Sequence, residues 1–161
     1  MPRQQHDRDD LFGEATALVE RISLRLSGDD NEIVVGFRRD GSASIYWSDS
    51  RVYQFTSDGR LRRAYVGDLL YKAELGKLIA LTRERKDHVV ELTRHALSET
   101  QAQTFLVEMR ERLEQLQDAL AKRSFTVLGQ VSAEGDLVSR MACWLDEFVG
   151  RVEIAESPRV G

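Results

Sequence analysis

The chain has 161 residues, 42% hydrophobic and 31% charged, with 23 basic against 27 acidic side chains and a net charge of −4. That balance belongs to a folded, water-soluble chain and excludes wholesale disorder, and the length suits one domain. No apolar run reaches the roughly 20 residues of a membrane helix, the polar start MPRQQHDRDD lacks the apolar stretch of a secretory signal, and the single cysteine, Cys143, cannot form an internal disulfide.

A reduced, cytoplasmic protein away from membranes is therefore expected. Residues 1–9 read as a flexible N-terminus, 10–152 as a single α+β domain, and 153–161 as a flexible C-terminus. The first predicted element is a helix over 10–27, which would place Leu11, Ala15, Leu18, Val19, Ile22 and Leu26 on one side, with Gly28 as its stop.

An antiparallel meander of about six strands follows. Turn signals at Asp40-Gly41, Asp49-Ser50, Asp58-Gly59, Gly67-Asp68 and Leu75-Gly76 recur every 8 or 9 residues. Aspartate and glycine tolerate the positive φ of tight hairpins. Between them lie IVVGFR (33–38), ASIYW (43–47), RVYQF (51–55), RLRRAYV (60–66), LLYKA (69–73) and KLIALTR (77–83). The stretch RERKDHVVELTRH after them reads as a polar connection.

Two amphipathic helices complete the pattern. Segment 98–122 opens with Ser98 and Gln101 at capping-box spacing, and spaces Ala102, Leu106, Met109, Leu113, Leu116 and Leu120 by alternating fours and threes. FTVLGQV (125–131) reads as a further strand. Segment 136–149 carries Leu137, Met141, Trp144 and Phe148, and Gly150 stops it.

Chemistry is sparse along this chain. His88 and His95 lie seven apart with no third ligand at metal spacing. Cys143 sits mid-helix before Asp146 and Glu147, which disfavours a thiolate. No nucleophile elbow, dinucleotide-binding turn or phosphate loop occurs. No catalytic residue, metal or cofactor is assigned, and an enzyme with an unidentified small-molecule site ranks third among the readings. The stretch YQFTSDGRL (53–61) resembles the core of tyrosine–aspartate repeats in large shell-forming toxin proteins through Tyr53, Gly59, Arg60 and Leu61. Thr56 stands where those repeats have aspartate, and no function is carried over.

Two features point to binding. The first is the apolar helix face of Leu106, Met109, Leu113, Leu116 and Leu120. A helix of about 25 residues is roughly 37 Å long and overhangs a six-strand sheet of about 24 Å. It therefore needs helix–helix packing, either within one chain or between two copies in a homodimer. The leading function is a non-catalytic protein-binding or assembly module. The second feature is charge: residues 38–94 hold 12 basic and 8 acidic side chains, and seven of the 12 aromatics fall between 37 and 71. The alternative function is thus nucleic-acid binding on the sheet of residues 38–86, with Arg39, Tyr53, Arg60, Arg62, Arg63 and Tyr65 taking phosphates and bases.

Overall fold

A computed structural model of the chain describes residues 18–131, 136–151 and 153–155. The start read at 1–9, the beginning of the helix read at 10–27 and the last six residues of the chain lie outside them. One sheet organises the rest. Its strands are β1 (Glu20–Leu26), β2 (Glu32–Phe37), β3 (Ala43–Trp47), β4 (Arg51–Phe55), β5 (Leu61–Val66), β6 (Leu69–Glu74), β7 (Lys77–Lys86), β8 (Val89–Ala96) and β9 (Phe125–Val131). The helices are α1 (Glu99–Lys122) and α2 (Leu137–Phe148), with a 3-10 turn at Val149–Arg151.

The sheet is antiparallel throughout, in the order β8-β7-β6-β5-β4-β3-β2-β1-β9. This corrects the expected six-strand meander with three helices: nine strands and two helices are present among the described residues. The six strands read between 33 and 83 correspond to β2–β7, and 125–131 is β9. Two elements differ. The stretch read as the end of an N-terminal helix is β1, and the stretch read as a polar connection holds the end of β7 and all of β8 but its last residue, Ala96.

The reason for the first difference lies in two overlapping periods. Leu18, Val19, Ile22 and Leu26 fit a helix stripe, but Ile22, Leu24 and Leu26 also alternate with Arg21, Ser23 and Arg25. Pairing decides between them, because β1 has a strand on each side. Ile22 lies opposite Val35 and Leu24 opposite Ile33 on β2, while β9 places Val127 opposite Leu24.

Alternation then sorts the whole sheet into two faces. Ile22, Leu24, Ile33, Val35, Phe37, Ala43, Ile45, Tyr53, Phe55, Leu61, Ala64 and Leu78 point to the helix side. There they form one buried cluster with Leu106, Met109, Leu113, Leu116 and Leu120 of α1 and with Leu137, Met141, Trp144 and Leu145 of α2. The register puts Arg21, Ser23, Val34, Ser44, Gln54, Arg63, Tyr65 and Lys72 on the other face.

Helix α1 owes its length to this topology. It leaves the sheet at one edge, after β8, and delivers the chain to the other edge, at β9. Nine strands at about 4.8 Å spacing span about 38 Å, and the 24 residues of α1 cover about 36 Å at 1.5 Å each. The overhang inferred for a six-strand sheet therefore disappears. Its support comes from within the chain, where Gln117 Nε2 donates to Asp146 Oδ1 of α2 at 2.7 Å.

Local signals fix the helix ends. Ser98 and Gln101 form the expected reciprocal capping box at 3.1 and 2.9 Å, and Arg123 ends α1 in the left-handed region at φ 54°. Asp136 caps α2 by accepting from the Val138 and Ser139 amides. Beyond α2 the chain lies along β5. The Leu61 amide donates to the Glu153 carbonyl at 2.7 Å, the Ala155 amide donates to the Leu61 carbonyl at 2.8 Å, and Ala155 is buried.

Candidate interaction surfaces

The apolar helix face proposed from the spacing belongs to the core. Met109, Leu113 and Leu116 are fully enclosed, and Leu106 and Leu120 are nearly so. They pack on the chain's own sheet, which leaves them no surface to offer a partner. α1 turns its polar residues outward, among them Gln103, Glu108, Glu111 and Glu114, all exposed.

The basic and aromatic residues divide between the two faces and one end of the sheet. Tyr53 is buried on the helix side, edge-on to Trp47 at 5.6 Å and to Phe105 at 6.2 Å between ring centroids. Phe37, Trp47 and Phe55 are buried there as well. Arg63 and Tyr65 occupy the other face, half-buried, opposite Gln54 and Val52. Arg39, Arg60 and Arg62 gather where the β2–β3 and β4–β5 turns meet, and Ser57 comes within 3.5 Å of a Cβ built on Gly41.

Acidic groups are interleaved in that cluster. Asp58 pairs with Arg60 at 3.3 Å. Asp40 accepts from the Ser42 hydroxyl at 2.6 Å and the Ser42 amide at 2.9 Å. The Ser42 hydrogen bonds hold the Asp40 carboxyl below its usual range, and the charges of Arg38 and Arg62 lower it further. Of the six residues chosen for nucleic-acid binding, Tyr53 is therefore separated from the rest, and the cationic field near Arg60 and Arg62 is partly offset.

Between α1 and the β3–β4 turn lies a cleft of about 300 Å³, lined in part by Asp29, Trp47, Arg51, Glu108 and Arg112. Arg112 donates to both carboxylate oxygens of Asp49, at 3.2 and 2.6 Å, and its guanidinium lies 5.6 Å from the Trp47 ring centroid. Glu108, one helical turn before Arg112, also lines this cleft. Arg51 Nη1 donates to the Tyr53 hydroxyl oxygen at 3.5 Å, and this bond raises the guanidinium pKa. Histidine, cysteine and serine are missing from the lining, so the cleft contains neither a nucleophile of those types nor a group whose ordinary pKa lies near neutrality.

Metal and thiol chemistry find no better footing. Among the described residues no group of three His, Cys, Asp or Glu side chains is placed to hold a metal. His88 sits in the β7–β8 turn at φ 66° and His95 is exposed on β8. Cys143 is exposed on α2. No helix among the described residues is long and apolar enough to cross a membrane.

The surface that the sequence did not reveal is β8. It pairs with β7 from Ile79–Ala96 to Lys86–Val89, and all its residues except Val90 are exposed. Val89 is 59% and Leu92 56% exposed, although each belongs to a residue type that is usually buried. The opposite edge, β9, leaves Val127, Leu128 and Val131 between 43% and 53% exposed. The fold thus defines a single antiparallel sheet, backed on one face by two helices, with an exposed strand at each edge. No family model, curated protein or solved structure matches this chain.

Proposed function

We propose that the protein is a non-catalytic protein-binding module and that the β7–β8 ribbon takes the partner. The exposure of Val89 and Leu92 on edge strand β8 carries this reading. Beyond Leu81, which pairs with Leu70 of β6, the outer part of β7 has only β8 beside it, and a two-stranded ribbon in water is marginally stable by itself. An edge strand also presents unpaired backbone N–H and C=O groups, to which an extended segment of another protein can add as a further strand. Leu92 lies on the same face as Leu81 and Arg94, and Val89 on the helix-side face, so an added strand would meet apolar surface on both sides of the sheet.

Nucleic-acid binding has weaker support, because the rings available for stacking are largely turned into the core. Tyr46 and Tyr65, both half-buried, are the aromatics of β3–β5 left on the face away from the helices.

The test uses the full chain in its native cells, with a photo-crosslinking side chain substituted at Val89 or at Leu92 and, as a control, at exposed Gln103. A discrete protein adduct from both ribbon positions and none from Gln103 is the expected result. Absence of an adduct at the ribbon, or equal labelling from Gln103, overturns the reading. Salt-sensitive binding of labelled RNA or DNA that is lost in Arg60→Glu with Arg62→Glu would replace it with the nucleic-acid reading.

A further inference from the structure

The other edge of the sheet differs from β8 in its chemistry. β8 carries Glu91, Arg94 and His95, polar groups that a partner of different sequence can match. β9, FTVLGQV, has no charged residue. Thr126 to Val131 are all exposed, and among the described residues β1 is its only strand neighbour. In an antiparallel pair the backbone groups of alternate residues point away from the neighbour, so about half of those on β9 face outward.

We propose that β9 pairs with β9 of a second copy, antiparallel and about a two-fold axis, joining two nine-stranded sheets into one. This goes beyond the partner-binding reading and uses the opposite edge. Absence of charge selects the occupant. Pairing a strand with its own copy sets identical residues near the axis against each other, and any charge there meets its like. A strand without charge meets no such repulsion.

The irregularity between β1 and β9 narrows the register. Val127 lies opposite Leu24 and Gly129 opposite Ser23, which makes Leu128 the extra residue of a bulge. Phe125, Val127 and Gln130 follow Leu26, Leu24 and Ile22 to the helix side, while Thr126, Gly129 and Val131 follow Arg25, Ser23 and Arg21 to the other face. A two-fold pairing keeps each face continuous when its axis passes just beside Leu128, toward either Val127 or Gly129. With the axis toward Gly129, Val127 meets the other copy's Gln130 on one face and Thr126 meets its Val131 on the other.

Area sets the strength. Seven residues extend about 24 Å, and a seam of that length covers a few hundred Å² per copy, below the roughly 800 Å² per partner of a standard stable interface. An interface of that size makes the dimer a weak, concentration-dependent one.

Sedimentation of the full chain over about 1–100 μM protein tests this. The expected result is a reversible dimer for the natural sequence and for Leu92→Lys on β8. Leu128→Lys with Val131→Lys should weaken it at least about tenfold. A natural chain that stays monomeric at about 100 μM, or a dimer that survives both β9 lysines, overturns the proposal. A second variant guards against misfolding of the first. In a Cys143→Ser background, Leu128→Cys next to the axis should give a disulfide-linked dimer on mild oxidation, since bridging needs Cα atoms within about 7 Å. No such crosslink also overturns it.

Discussion

The ring of Phe148 lies against the α-carbon of Gly59 so closely that a Cβ there would overlap its Cδ1 and Cγ. Gly59 also has φ +80° in the β4–β5 turn, where an L side chain is strained. The contact ties the end of α2 to the sheet, and Trp144 extends it by packing on both Phe148 and Phe55, at 5.5 and 5.0 Å.

Gly59→Ala should therefore cost the backbone strain and the displacement of a ring together, about 2–4 kcal/mol. Gly67→Ala provides the comparison, because Gly67 also has positive φ, at +60°, but nothing lies within 4 Å of the built Cβ. It should cost about 1–2 kcal/mol from strain alone. Urea denaturation of both variants measures the difference. Equal losses would mean that Phe148 does not press on the turn.

Leu113 decides between core and interface for the apolar face of α1. It is fully enclosed between α1 and the sheet, so Leu113→Ala should lower stability by about 2–5 kcal/mol through lost burial and the cavity left behind. The mass of the protein in solution should not change. A variant of normal stability but altered association would return this face to the surface.

The stripe containing Leu113 was legible in the sequence as buried, but what it is buried against was not. Spacing along a helix reports which side avoids water and is silent on whether a sheet of the same chain or another copy provides the shelter. The hairpin rhythm from Asp40-Gly41 to Leu75-Gly76 was legible because each turn must carry its own φ signature: Gly41, Ser50, Gly59, Gly67 and Leu75 all have positive φ. β1 was hidden by a double period, since Ile22 and Leu26 satisfy both a helix and a strand. β8 was hidden for a different reason. Both its faces are wet, so VVELTRHA shows no consistent apolar alternation, and its strand character rests on pairing with β7. The Asp49–Arg112–Trp47 contact joins residues more than 60 positions apart, beyond what local patterns can show.

Acid should expose the cap of α2. Asp136 accepts from the Ser139 hydroxyl at 2.8 Å and from the Val138 and Ser139 amides at 3.0 and 3.4 Å. These bonds, the Ser139 hydroxyl first, hold its carboxyl below the usual range. The folded chain thus binds fewer protons at this site than the unfolded chain does at pH values between the two pKa values. Its contribution is complete above the ordinary carboxylate pKa near 3.9 and is lost as pH falls through the lowered folded value. Asp136→Ala should lower Tm by a few degrees at pH 7, about the effect of removing an N-cap from a chain of this size. Asp136→Asn keeps an acceptor at the cap without a titrating group. The Tm difference between the natural chain and Asp136→Ala should therefore shrink between pH 5 and pH 2, while the difference between Asp136→Asn and Asp136→Ala should persist. Asp40 titrates in the same direction but is common to all three proteins, so it cancels. A natural-versus-alanine difference that stays constant down to pH 2 would show that the carboxylate charge does not stabilise the cap.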